Sequence, residues 1–336
     1  MKQLRVLLLV HADLVPPTSI EGLSPDEVDP FRTEHNVLAA LQKLGHDVRV
    51  LGLRDELSPI REETTSFTPD IAFNLLEEFN GQAVYDQNVV AYLELLNIPY
   101  TGCNPRGLIL SRDKALTKKI LSYHRIGVPD FIVVPKGRRT RRPKKLKFPL
   151  IVKSLIEEAS LGIAQASVVD DDAKLAQRVL FIHDTVGTDA IVEQYIAGRE
   201  LYVSVLGNQR LTLFPIWELS FHDLPPACEP IATAKAKWDR NYQKRHGITS
   251  GPAGELDERT LKTIQSTSKK IYRALGLSGY ARIDFRLGIN GKLYCLEANP
   301  NPQIAQAEDF AESAASANIS YDDLIKQILV LGLARG

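Results

Sequence analysis

Along the chain the spacing of apolar positions switches repeatedly between two periods, and each switch predicts an element. Residues 6–10, "VLLLV", are apolar without interruption, as in a strand buried on both faces. Leu38, Leu41 and Leu44 then recur at helical spacing, which predicts a helix over residues 36–44 with Gly45 just past its end. Strands at 47–53 ("DVRVLGL") and 70–76 ("DIAFNLL"), a helix near 84–96 and the short strand "IPYTG" at 98–102 continue the alternation. Strands alternating with helices predict a parallel sheet with helices on its faces.

A second unit opens with Ser111 as the expected N-cap of "RDKALTKKILSYHRI", closed by Gly127. "DFIVV" and "FPLIVKS" read as strands flanking a basic loop at 136–147, followed by "SLGIAQASVV" and a helix near 172–183. A longer third unit has strands "DAIVEQYI", "ELYVSVLG" and "LTLFPI", an irregular stretch at 220–254 and a helix over 257–275. A hairpin follows, and a last helix opens with the capping pair Ser320 and Asp323. The expected division is 1–103, 104–187 and 188–336, an α/β chain with α+β character toward its C-terminus.

The hairpin is where the pattern suggests chemistry. In "ARIDFRL", Ala281, Ile283, Phe285 and Leu287 point one way, and Arg282, Asp284 and Arg286 the other. Asn290 and Gly291 predict a two-residue turn with both residues at positive φ, which sets Asp284 opposite Glu297 and Arg282 opposite Asn299. A four-residue loop would shift the pairing by two places and keep the same face. The returning strand, "CLEANPNPQI", stops at two prolines that cannot donate to a ladder. Facing carboxylates repel, and a divalent cation relieves this: magnesium takes oxygen ligands from one or two carboxylates, with Asn299 as a third donor. The alternative is a solvated face on which Asp284 pairs with Arg282 or Arg286 and binds nothing.

Composition narrows the partners. Lysine plus arginine and aspartate plus glutamate each total 41, so no global field draws the chain to nucleic acid or membrane. With 336 residues it is long enough for two or three domains. Three widely spaced cysteines fit a reducing cytoplasm, and the first apolar run is too short for a signal peptide or a membrane span. The glycine motifs of P-loop and dinucleotide-binding folds are absent. Phosphate binding therefore falls to isolated lysines: Lys153 after "FPLIV", Lys114 in the first turn of a helix, and a loop, "EEASLGIAQAS", with Ser160 and Gly162.

Taken in order, "IPYTGCNPRGLILSRDKALTKKIL", "FPLIVKS", "EEASLGIA", "IVEQYIAGRELYVSVLG", "ARIDFRL" and "LYCLEANPNP" resemble the ATP-grasp superfamily, and within it the D-alanine:D-alanine ligase branch, from about residue 97 to 302. The resemblance implies an ATP-grasp fold with an N-terminal parallel-sheet domain. It implies that Lys114 and Lys153 contact the α- and β-phosphates, that Ser160 reaches the γ-phosphate, and that Lys237, or its neighbour Lys235, is a second phosphate-facing lysine. Glu193 would accept from the adenine amino group, the backbone around Gln194 and Ile196 would read the ring edge, and Tyr195 would pack nearby. Glu200 would bind the ribose. Asp284, Glu297 and Asn299 would ligate two magnesium ions, or manganese in their place, and Arg282 would stabilise the tetrahedral oxyanion. The implied reaction is carboxylate-amine ligation through an acyl phosphate on amino acids or small peptides, by a cytoplasmic homodimer. Two other readings stay open: ligation of non-amino-acid substrates, and an ATP-binding interaction protein without turnover. Where the dipeptide ligases have glycine after the metal-site proline, this chain has Gln303, and their histidine-glycine motif is replaced by "NLLEEFNGQAVYD".

Three other features carry alternatives. The loop "KGRRTRRPKKLK" is a solvated linker or a docking patch for an acidic partner. "WDRNYQKRHGITSGPAG" is an ordinary loop or shapes the acceptor site with Arg240, Lys244 or Arg245, with His246 as a base. Glu77 and Glu78 follow a strand at the end where ligands bind in open sheets, as an amine-binding pair or as helix-start charge.

Overall fold

The computed structural model describes residues 2–157, 160–226 and 228–335; residues 158 and 159 of the expected phosphate loop lie outside the described residues. Three sheets organise the chain. In the first, β1 (Arg5–His11) lies between β2 (Asp47–Leu53) and β3 (Ile71–Asn74), all parallel, as the strand-helix alternation predicts. The second is antiparallel. It contains β4 (Phe131–Val134), β5 (Leu150–Ser154), β6 (Val168–Val169) and β7 (Ala190–Gln194) in the order β4-β7-β5-β6. β7 lies beyond the expected division at 187, yet it pairs with β4 and β5, so we place the boundary after Gln194.

The third sheet holds β8 (Gly198–Leu206), β9 (Thr212–Leu213), β10 (Trp217–Phe221), β11 (Ile248–Pro252), β12 (Tyr280–Gly288) and β13 (Leu293–Pro300). Their order is β11-β10-β8-β12-β13, with β9 on β8. "LTLFPI" yields only the two-residue β9, because Pro215 removes a donor from the run. The stretch expected to be irregular contains two short helices, Ala234–Trp238 and Arg240–Arg245, and β11. Side-chain caps explain the helices: Thr233 Oγ1 accepts from Ala236 N–H at 3.1 Å, and Asp239 Oδ1 from Tyr242 N–H at 2.9 Å.

Helix boundaries near the site also differ from expectation. Asp113, not Ser111, caps the helix Lys114–Tyr123, accepting from the Ala115 and Leu116 N–H groups at 2.9 and 2.8 Å. Ser111 ends a separate helix, Pro105–Arg112, which Pro105 at its first position announces. Gly127 is not a helix cap; a Cβ there would stand 2.6 Å from the Leu293 carbonyl, because the chain runs beside β13 and accepts from Cys295 N–H at 2.8 Å.

One apolar core runs from Leu7, Leu9 and Val89 to Val203, Ile283, Phe285 and Cys295, so the first and third sheets share an interior. The last helix, Tyr321–Leu333, is capped by Ser320 as predicted and returns to the first sheet, packing Leu324, Ile325 and Ile328 with Val6, Leu8 and Val37. Among the described residues no helix is long and apolar enough to cross a membrane.

Candidate active site

The β12–β13 hairpin delivers the expected pairing by an unexpected route. Asp284 opposes Glu297 and Arg282 opposes Asn299. The turn, however, is not a two-residue one: Gly291 N–H donates to Gly288 O at 2.8 Å, Gly288 N–H to Lys292 O at 2.9 Å, and of Asn290 and Gly291 only the glycine has positive φ. Near the turn Phe285 therefore opposes Cys295, one place off the expected register. A β-bulge restores the pairing, leaving Leu296 as one extra residue between the Phe285–Cys295 and Asp284–Glu297 pairs. The bulge has a physical purpose. Cys295 is buried in the core while Glu297 lines the cleft, and residues two apart in a regular strand would share a face.

This face is not the solvated surface of the alternative reading. Asp284 is 3 % exposed, and Arg282 grips it through Nε–Oδ1 at 2.8 Å and Nη2–Oδ2 at 2.9 Å while lying 4.7 Å above the Tyr202 ring. Asn299 donates its Nδ2 to Asp284 Oδ2 at 3.0 Å, so its amide oxygen is the donor atom left for a cation. Burial pushes the Asp284 carboxyl up to about 6 despite Arg282, and the charge of Glu297 adds to the rise. Burial also opposes ionisation of Glu297, but Lys114, Lys237 and Lys153 outweigh it and hold that carboxyl at about 2. Among the described residues no three His, Cys, Asp or Glu side chains are grouped so as to hold a metal ion by themselves. Two carboxylates and an amide oxygen on one face are nevertheless the hard donor set that suits magnesium.

Lysines wall the same cleft. Lys114 lies 4.0 Å from Glu297, and Lys114, Lys153 and Lys237 all line the space above the hairpin with Ser160, Glu200, Ile151 and Leu296. Lys235 is exposed to solvent on the same short helix, so Lys237 is the lysine that faces the cleft. Glu193 on β7 is fully buried between two ammonium groups, Lys153 at 3.2 Å from Oε2 and Lys118 at 3.0 Å from Oε1. Glu200 is also buried, with Arg286 Nη2 on Oε2 at 2.7 Å and the Tyr202 hydroxyl on Oε1 at 2.9 Å. Tyr195 packs with Ile151 and Ile231. The Gln194 N–H donates to Asp130 O at 2.8 Å. Ile196 follows at the turn into β8, against Gly288.

Ser160 takes a left-handed backbone (φ 62°), and its Oγ donates to Ala232 O at 2.7 Å. Ala234 N–H meets Ile163 O at 3.4 Å, and Gln165 Nε2 donates to Glu229 O at 2.9 Å, so this loop is latched onto residues 229–234. The loop and residues 229–234 thus narrow the cleft above the hairpin.

The other candidates lie apart. Glu78 sits 3.3 Å from His11 at the carboxyl end of the first sheet, with Glu77 beside it. Gln303 turns toward Thr33 (Nε2–Oγ1 3.3 Å). Arg240 meets Asp29 at 4.0 Å, and Lys244 and Arg245 are exposed. His246 lies beside the Tyr242 ring, centroids 4.3 Å apart and tilted by 55°, and faces the Asp223 carbonyl. In the basic loop Arg142 is tied to Asp172 at 2.8 and 3.0 Å, while Arg138, Arg139, Arg141, Lys144, Lys145 and Lys147 are exposed.

Sequence reasoning missed Lys118, Leu296 and Glu34. Lys118 follows Lys114 by one helical turn, a spacing that could have flagged it. Glu34, 5 % exposed in the helix Arg32–Lys43, has its carboxyl raised to about 7 by burial, and Glu77 adds to the shift. Its native pKa exceeds the unfolded value, so the native state holds an extra proton between about pH 4.5 and 7, and stability falls as pH rises through that window. Glu34→Gln should therefore be more stable than the parent above pH 7, by on the order of 2–3 kcal/mol, with the difference gone below about pH 4.5. Thermal unfolding across pH checks this; a constant difference at all pH values contradicts it.

A cleft between two antiparallel sheets, floored by paired acids and walled by lysines, defines an ATP-grasp ligase, the class of ATP-dependent, ADP-forming enzymes that make carbon-nitrogen bonds. Solved structures agree. The D-alanine–D-alanine ligase of Bacillus anthracis complexed with ATP is similar with a TM-score of 0.76 and 25% identity, covering 98% of this chain and 97% of that one. The family described as D-ala D-ala ligase C-terminus matches residues 120–330. A D-alanine–D-alanine ligase of Syntrophotalea carbinolica is 31% identical, covering 92% of each chain. An uncharacterised protein of Sinorhizobium fredii is 30% identical over 89% of this chain and 86% of its own length. The chain belongs to the D-alanine–D-alanine ligase family.

Proposed function

We propose that the protein joins a carboxylate to an amine on amino acids or small peptides, with magnesium and ATP as substrate complex, through an acyl phosphate. The observation that carries this is the convergence of Lys114, Lys153, Lys237, Asp284 and Glu297 on one cleft. Asp284, Glu297 and Asn299 would hold magnesium, which supplies charge neutralisation between the β- and γ-phosphoryl oxygens. Lys114 and Lys153 hold the phosphates, and Ser160, once released from Ala232, closes on the γ-phosphate. Arg282, fixed by Asp284 and Tyr202, stands where the attacked carboxyl carbon develops an oxyanion. Glu200 is oriented for the ribose by Arg286 and Tyr202.

Near Arg282 lie Asp309, which accepts from Ser250 Oγ at 2.6 Å, and Glu308, whose carboxyl burial raises and which meets Arg32 at 3.4 Å. The test is incubation with ATP, magnesium and pools of D- and L-amino acids and amines, following ADP and phosphate, with hydroxylamine to trap an acyl phosphate. ADP formation that depends on a pool and yields a hydroxamate is expected. Tight ATP binding with no ADP from any pool would overturn the reading.

A further inference from the structure

We infer that Lys118 is a positioning residue that holds Glu193 in the orientation that reads the nucleobase and ties that carboxylate to the bulge beneath the metal-binding acids. The inference rests on the role proposed for Glu193. Lys118 sits one turn after Lys114 in the helix Lys114–Tyr123, yet it does not face the cleft: it is 1 % exposed. A lysine ammonium is that deeply buried only when its charge is answered. Two groups answer it. Glu193 Oε1 on β7 lies at 3.0 Å, and the Leu296 carbonyl, freed from the ladder by the bulge, accepts from Nζ at 2.5 Å. One ammonium thus joins the second sheet to the third.

Glu193 shows why its orientation matters. Lys153 donates to Oε2 at 3.2 Å and Lys118 stands 3.0 Å from Oε1, so each oxygen is held by one ammonium. A carboxylate oxygen has more than one lone pair, and one left over on an oriented carboxylate suits an exocyclic amino group. Lys153 alone would swing the carboxylate toward the phosphate side. Lys118, on the opposite side, keeps Oε1 where a base edge can reach it. A purine with a carbonyl in place of that amino group would set oxygen against oxygen.

The test compares ADP and IDP binding by calorimetry, without turnover, in the parent, Lys118→Met, Lys118→Arg, Glu193→Gln and the double variant Lys118→Met/Glu193→Gln. In Lys118→Met the preference for ADP over IDP should fall about tenfold, with Lys118→Arg recovering part of it. In the Glu193→Gln background Lys118→Met should leave that preference where it is. Equal weakening of both nucleotides by Lys118→Met, or an unchanged preference, overturns the inference. If Glu193→Gln itself leaves the preference intact, the reading of Glu193 fails and the inference falls with it. If Glu193→Gln removes the preference and Lys118→Met does not, the inference alone fails. Should Lys118→Met not fold, the double variant, which removes both buried charges together, is read against Glu193→Gln: a further change in preference contradicts the proposal.

Discussion

Asp284→Asn and Glu297→Gln should each lower magnesium-dependent ADP formation by about three orders of magnitude, the loss of roughly 4 kcal/mol of transition-state stabilisation. Both amides keep the size of the acid and can still hydrogen-bond, so the ladder between β12 and β13 stays intact while the charge that attracts a cation goes. The two positions differ in what else they touch. Asp284 is buried and gripped by Arg282 on both oxygens, so Asp284→Asn also leaves a buried guanidinium without its counter-charge and should lower stability. Glu297 carries the charge that answers Lys114, Lys237 and Lys153, so Glu297→Gln should lose activity and also some stability, although its ion pair with Lys114 is long, 4.0 Å. Turnover titrated against magnesium, with unfolding measured on the same samples, separates the effects. Near-parental turnover in both variants removes these residues from the metal site.

The largest effect on stability is expected at Arg286→Met. Arg286 and Glu200 are both buried, 2.7 Å apart, and the same guanidinium donates to the Gly198 and Pro230 carbonyls at 3.0 Å each. Removing one partner of such a pair leaves a charge in the interior, a loss of about 3–5 kcal/mol. Arg286→Met with Glu200→Met should lose less than Arg286→Met alone, because no charge is then stranded. Chemical denaturation of the parent and the two variants provides the comparison, and a double variant no more stable than Arg286→Met would mean that the two carbonyl contacts, not the ion pair, dominate.

Much of this site was legible in the chain, and the reasons are local. Strict alternation in "ARIDFRL" assigned Asp284 to one face and Phe285 to the other, and Asp284 lines the cleft while Phe285 joins the apolar core. The parallel first sheet followed from continuous apolar strands separated by helical stripes. Other features depend on groups remote in sequence and leave no periodic trace. The turn was misread because Asn-Gly fits two hairpin geometries, and the bulge at Leu296 depends on a demand for Cys295 inside and Glu297 outside that only the packed sheet expresses. Lys118 owes its burial to β7 and β13, which meet it from segments remote in sequence.

The extra residue at 296 gives the hairpin a single unit of slack, and this bears on which accidents of inheritance the site survives. Loss of the codon for Leu296 leaves a regular ladder: Cys295 still opposes Phe285 and Glu297 still opposes Asp284, with only the carbonyl that meets Lys118 displaced. Loss of a residue from β12 instead doubles the mismatch between the strands. The metal-facing strand is therefore the forgiving side of the hairpin, and lineages that shorten this hairpin are expected to do so at that one step.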